Sequence, residues 1–367
     1  MSCRPYRPKG WRARRFCTGR PTDKNQTAAA SGKPGACGGT ECSVKKKIVS
    51  VAGIFALPVV LFLFFSLVCE GFGLHTTQVV VSQSLIPTVL GLAMAPVMMC
   101  GLMDFSSGAR VILGAAVGAV LGNSLGVPGF LIGCIAGAFA GGFVIAFLYR
   151  ILRIPSMVVS MGVVLVMEVA SYKLSEVAGT GSAVKFSEAM INIGSWPKNL
   201  ILVAVACVIS YLIQYKTSTG CQIMACGNDE VMLKNMGVNT GRLKFTAFAL
   251  SGIFCAFGAV IQSCYSGQVT VAIGMVSMSM VFKPMMGVLI GMQLLRLVDN
   301  MPLMIFIGEL TISIIFNGFI ALGLTDNLQN IVLGVFLLLV LGISGNTANI
   351  AEYRRKQAVR KAAGSRA

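Results

Sequence analysis

A single histidine, His75, and thirteen acidic residues serve a chain of 367 residues. One histidine excludes a histidine-rich metal cluster or a histidine proton relay. Gly122-Asn123-Ser124-Leu125-Gly126 matches the G-x-S-x-G nucleophile pattern in letters, but it joins two apolar runs instead of a strand and a helix. No C-x-x-C occurs among the twelve cysteines, which excludes the usual zinc spacing and a redox motif. No G-x-x-x-x-G-K-[ST] occurs either, so the chain has no loop of its own to cradle ATP. Aromatic residues make up 8% and do not interleave with basic ones, which removes the stacking platform of a nucleic-acid binder. These absences leave no catalytic residue, no metal ligand and no cofactor to expect.

What the chain has is apolar surface. Apolar residues make up 55%, charged residues 12%, and the mean hydropathy is +0.79, more than a soluble domain of this length can bury, so lipid must cover the rest. The net charge of +17 sits at the ends. Residues 1–47 carry 12 basic against 2 acidic residues, 352–367 carry 6 against 1, and the remainder is nearly neutral at 12 against 10. Residues 1–43 mix Arg, Pro, Gly and Ala without apolar periodicity and read as disordered. The organisation expected is a basic cytoplasmic tail over 1–47, a transmembrane domain over 48–345 and a basic cytoplasmic tail over 346–367.

Apolar runs long enough to cross about 30 Å of hydrocarbon recur near 48–68, 78–100, 109–125, 129–149, 155–173, 198–215, 244–265, 280–297, 302–323 and 328–345. The first is long enough to be an anchor instead of a cleaved signal. The fold class expected is an all-α polytopic membrane protein of about ten transmembrane helices. With Lys45, Lys46 and Lys47 inside, alternation puts Arg150, Arg153, Lys216, Lys234, Arg242, Lys244 and Arg296 inside as well, so both termini are expected in the cytoplasm. Gly114, Gly118 and Gly122 lie four apart, as do Gly133, Gly137 and Gly141. Each set lines one helical face, and the two helices are expected to cross closely.

The most polar interior stretch runs from Gly220 to Gly252 and falls on the cytoplasmic side of this topology. Asn228 or Asp229 can cap a short helix, Glu230 sits in its first turn, Lys234 near its end, and Gly237 can terminate it. Val231, Met232 and Met236 then offer apolar surface that no membrane span needs, suited to a soluble partner. Within the spans, Asp104 with Ser106 marks a helix cap or a broken helix beside a pathway. Glu168 reads either as an interfacial charge near Lys173 or as a pathway residue, and Glu309 and Asn317 as bonds between helices or contacts to a polyol.

The Gly220 to Gly252 stretch resembles the ATPase-coupling loop of the ABC importer permeases for ribose and related sugars, in the branched-chain amino acid and sugar permease superfamily. The resemblance rests on Gly227, Gly237, Asn239, Arg242, Lys244, Ser251 and Gly252 at the family's spacing. Asp104-Phe105-Ser106-Ser107-Gly108 is similar to its Asp-Leu-Ser-x-Gly, and Arg153-Ile154-Pro155-Ser156 leading to Ser160-Met161-Gly162 to its basic-Ile-Pro entry into a Thr-Leu-Gly helix. The chain departs from the family at Met224, Asp229 and Met232-Leu233, and around Met280-Val281-Phe282-Lys283-Pro284.

The resemblance implies a permease subunit of a bacterial plasma-membrane importer, for a monosaccharide such as ribose. Its implied partners are an ABC ATPase subunit, a second permease subunit (homodimer or heterodimer), an extracytoplasmic substrate-binding protein and membrane lipid, with no nucleic acid. Coupling residues are expected at Gly227, Asp229, Glu230, Met232, Met236, Gly237 and Asn239, and pathway residues at Asp104, Ser106, Glu168 and Asn317. The rival reading is an ion-coupled secondary transporter or channel acting without an ATPase.

Overall fold

The computed structural model describes residues 55–68, 74–177, 183–194, 197–295, 298, 300–325 and isolated positions between 328 and 342. The chain divides into two units, Met1–Val44 and Lys45–Ala367, and all described residues belong to the second. The expected tails over 1–47 and 346–367 lie outside the described residues.

The architecture is helical. In chain order the helices are α1 (Phe55–Val68), α2 (Leu74–Met99), α3 (Ser107–Leu152), α4 (Ser156–Val177), α5 (Glu188–Ile191), α6 (Lys198–Lys216), α7 (Ser218–Asn228), α8 (Glu230–Asn235), α9 (Thr240–Ser266), α10 (Ser279–Leu294) and α11 (Met301–Ala321). Two three-residue strands, β1 (Ala183–Lys185) and β2 (Gln268–Thr270), pair antiparallel with Val184 opposite Val269. Among the described residues seven helices are long and apolar enough to cross a membrane.

The difference from ten apolar runs has a structural reason. The runs at 109–125 and 129–149 are the two arms of α3, whose 46 residues are broken at Gly126 by a left-handed φ of 68°, with Pro128 just beyond. The two halves fold back on each other. A Cβ on Gly133 would meet the Gly118 Cα at 2.7 Å, and one on Gly137 would meet the Gly114 Cα at 3.0 Å. The two glycine strips therefore face each other, and their missing side chains let the backbones touch. Towards the ends of the chain, the described part of α1, Phe55–Val68, is shorter than a full span, and the run at 328–345 lies largely outside the described residues.

The core forms where α9 packs between α3 and α2. Gly142 approaches the Gly252 Cα, where a Cβ would sit at 2.7 Å, and Phe254, Cys255, Ala259 and Ile261 are buried with Val89, Leu92, Val111 and Ala115. A second cluster joins α7 and α8 to the bundle through Ile223, Cys226 and Leu233, which pack with Val97, Cys100, Leu243 and Phe248. The bundle thus has two distinct ends. One carries α7 and α8, and the other carries β1, β2 and α5.

Candidate functional site

Two stretches between long helices are not helical and meet inside the bundle. The first runs from Gly101, at φ 74°, to Ser106, between α2 and α3. The second runs from Val271 to Met278, between β2 and α10, and ends in a short 3-10 turn, Val276–Met278. They meet where the start of α3 crosses the second stretch, because Gly108 lies so close to the Ser277 carbonyl that a Cβ there would overlap it. Non-helical backbone of this kind is tolerated in a membrane protein only when buried in protein or lining a cavity.

The junction lies deep in the bundle. Arg110, one turn into α3, packs its stem against Gly141, which also touches Met167. Gly141 is midway along the second half of α3, and Met167 is midway along α4. The Arg110 guanidinium pairs with Asp104, both side chains fully buried, and its Nη2 donates to the Ser251 hydroxyl at 3.1 Å, midway along α9. Asp104 Oδ1 accepts from the Ser106 N–H at 2.9 Å and from the Ser106 hydroxyl at 2.7 Å. Among the described residues, Arg110 Nε and Nη1 find no acceptor. Asp104 therefore does two things. It fixes Ser106, the residue before α3, and neutralises a buried cation.

Glu168 holds the second stretch from the other side. Its carboxylate accepts from the backbone N–H groups of Gly274 at 3.0 Å, Met275 at 2.7 Å and Ser277 at 2.9 Å, and from the Ser277 hydroxyl at 2.6 Å. Only 1% of Glu168 is exposed. Lys173, the expected neighbour, bonds Glu176 at 2.8 Å instead. Asp104, Ser106 and Glu168 thus converge on the junction. Asn317 does not. Its Nδ2 donates to Gln83 Oε1 and to the Ser313 carbonyl, both at 2.8 Å, tying α11 to α2.

Above the junction, towards the strand end, opens a cavity of about 420 Å³ lined by Ile112, Gln262, Ser266, Gln268, Val269, Thr270, Ala272, Val276, Ser277, Ser279 and Met280. Six of these carry an amide or hydroxyl, and none is ionisable. Gln262 Nε2 donates to Ser266 Oγ at 3.0 Å, one helical turn on. Ser277 closes the cavity's deep end. The pairing of β1 with β2 fixes one rim, since Gln268 and Thr270 sit on the paired strand.

At the opposite end, α7 and α8 form two short capped helices. Thr217 caps α7 by accepting from the Gly220 N–H at 3.1 Å, Asp229 caps α8 through the Met232 N–H at 2.9 Å, and Asn239 caps α9 through the Arg242 N–H at 3.1 Å. Gly237 ends α8 at φ 82°, a left-handed value that favours glycine. Gly227 is held against the Met99 carbonyl, where a side chain has no room. Leu233 is buried, whereas Val231, Met232 and Met236 are 69%, 59% and 56% exposed. Glu230 bonds Lys244 at 2.9 Å, tying α8 to α9, and that bond holds the Glu230 carboxyl below its ordinary pKa.

Several of these residues were not legible beforehand as site residues. Arg110 carries a signal, a lone cation inside an apolar run six residues after Asp104. The Ser251 partnership carries none, because it joins positions 141 residues apart. The cavity residues Gln268 to Ser279 belong to an irregular stretch without a known spacing.

A family model described as branched-chain amino acid transport system / permease component matches residues 77–341. No curated protein and no solved structure matches the chain significantly.

Proposed function

The chain belongs to the family of branched-chain amino acid transport system permease components, and from that premise we propose that it is the membrane subunit of an ABC importer for a neutral polyhydroxy solute, a monosaccharide such as ribose. Membership and the apolar helices make it a multi-pass protein of the bacterial plasma membrane. The observation that carries the substrate class is the cavity lining of amides and hydroxyls with no charged side chain. An amino acid would bring a carboxylate and an ammonium, and both need charged or strongly polar partners once desolvated. A sugar needs what the lining has, side chains that both donate and accept.

In this reading the α7–α8 end is cytoplasmic, as are both termini, with residues 1–47 and 346–367 as basic tails. The exposed surface of Val231, Met232 and Met236 docks on a separate ATPase, which performs all bond chemistry. Gly227 and Asn239 hold the two docking helices to the bundle, and Asp229, Glu230 and Gly237 set their shape. Motion of α7 reaches Met99 through the Gly227 contact, then the segment 101–106, Asp104 and the junction. A second permease subunit completes the assembly, and a binding protein delivers solute to the strand end. Asn317 serves as a bond between helices, and Asp104, Ser106 and Glu168 frame the pathway without contacting solute.

The test is uptake of radiolabelled D-ribose and L-leucine by the importer purified with its ATPase and reconstituted in liposomes. Uptake of ribose, with Gln268→Ala and Thr270→Ala raising KM, is the expected result. Uptake of leucine alone would overturn the substrate class, and flux through this chain without any ATPase would replace the importer by an ion-coupled transporter or channel.

A further inference from the structure

We propose that Glu168 is a positioning residue for transport: its carboxylate holds segment 274–277 against Gly108, and that contact is the barrier closing the cavity from the α7–α8 end. The inference rests on reading the cavity as part of the solute pathway.

The segment it holds does not hold itself. Gly274 lies at φ 110° and Met275 at φ 65°, a left-handed conformation that is unfavourable for a residue with a side chain. Three closely spaced demands, the N–H groups of Gly274, Met275 and Ser277, lie where no helical carbonyl answers them. The Ser277 bond is buried and the other two are partly so, and a buried donor must be paired. Glu168 pairs all three with two oxygens and takes the Ser277 hydroxyl as well. A carboxylate only accepts, so every one of its lone-pair directions is available to this set of donors.

The segment so held is the floor of the cavity. Val276 and Ser277 line it, while the carbonyl of the same Ser277 is pressed on Gly108. Glu168 itself is not among the lining residues. On the far side of the contact the chain runs through Ser106 and Asp104 back to Met99, the residue against which Gly227 of α7 packs. The barrier is thus a single layer of backbone, fixed from α4 by Glu168 and reached from the docking helices through the start of α3. Releasing either hold opens a route from the cavity towards the other end of the bundle.

Passive leak tests this directly. The assembled importer is reconstituted in liposomes loaded with radiolabelled D-ribose or, as a probe independent of substrate choice, erythritol, and efflux is followed without ATP. Wild type should be tight. Glu168→Ala and Glu168→Gln should raise efflux about tenfold or more, the factor given by about 1.4 kcal/mol lost from the closed state. The Gln variant fails because its amide NH2 faces donors. Glu168→Asp, which keeps the acceptor, should restore part of the seal, and Ser277→Ala, which removes one bond of four, should leak least. Combined with Glu168→Ala, Ser277→Ala should add nothing further, since both act through one contact.

Efflux at the wild-type rate in correctly inserted Glu168→Ala and Glu168→Gln would overturn the proposal. So would loss of insertion by every variant including Ser277→Ala, which would make the role structural. Failure of the cavity reading is distinguishable. Cys placed at Ser279 or Thr270 in a cysteine-free background should react with an impermeant thiol reagent from outside. If it does not while Glu168→Ala leaks, the cavity is not the entrance but the barrier stands.

Discussion

The same chain builds one acid–base pair that is fully buried and another that is partly exposed. Asp104 and Arg110 are fully buried at the junction, while Glu230 and Lys244 keep side-chain exposures of 41% and 15% between α8 and α9. The buried pair is surrounded by Ser106 and Ser251, and its members have little alternative to each other. The outer pair has water as a competitor. The contrast shows that the chemistry of a pair says little about its importance. The cost of leaving one member alone decides it, and that cost is set by burial. The docking end can therefore be changed and still fold, whereas the junction cannot lose one charge and keep the other.

The largest effect should come from breaking the buried pair. Arg110→Ala or Asp104→Ala should cost about 3–5 kcal/mol by leaving an uncompensated buried charge. Detergent-solubilised protein should show it as a fall in melting temperature and in yield of monodisperse permease. The sharper test is the double variant Asp104→Asn with Arg110→Met. Removing both charges removes the desolvation cost too, so it should recover much of the stability while losing transport, because the hold on the start of α3 is gone. A double variant as unstable as either single one would show that packing of the Arg110 stem on Gly141, not charge, dominates.

The docking surface should respond in the opposite way. Met232→Asp with Met236→Asp changes two exposed residues, and substitutions at such sites usually stay within about 0.5 kcal/mol of stability. Insertion and melting should hold, yet the ATPase should no longer co-elute and solute-stimulated ATP hydrolysis should vanish. Gly237→Val acts through the backbone, penalising the left-handed φ by about 1–2 kcal/mol, and should weaken rather than abolish the association. Normal co-elution of the double Asp variant would reduce α7 and α8 to a connector and remove the comparison's functional half.

How much of this was legible follows the range of the interactions. Local signals were read directly. Asp229 caps α8, Gly237 ends it, and the glycine strips of α3 meet, because each depends on neighbours within a few residues or on a helical period. The family showed in the Gly227 to Gly252 spacing for the same reason. What sequence withheld was pairing at a distance. Glu168 read either as an interfacial charge near Lys173 or as a pathway residue, and its partners lie 106 to 109 residues away. The break at 271–278 escaped notice because irregular backbone has no period. The apolar runs at 109–125 and 129–149 were legible as two helices, and they do fold back on each other at the left-handed Gly126.

The smallest effect is the most sensitive gauge of the comparison. Glu230→Gln should cost only about 0.2–1 kcal/mol, the range of exposed ion pairs. Its sign with pH is fixed by the direction of the shift: Lys244 holds the Glu230 carboxyl below its ordinary value, so the pair's stabilisation is complete above the unfolded carboxyl's pKa and is lost as pH falls through the lower folded value. Between pH 6 and 8 the wild type should therefore show no change from this pair, and the loss should begin only in the acid range. Salt should weaken it, because ions screen a half-exposed pair far more than a buried one. Melting curves of wild type and Glu230→Gln should lie slightly apart at neutral pH and low salt, then converge both in acid and at high salt. The Asp104 variants should show no such convergence with salt. If salt closed the gap for both pairs alike, the junction would have to be open to solvent, and the division into a sealed centre and an exposed docking end would not hold.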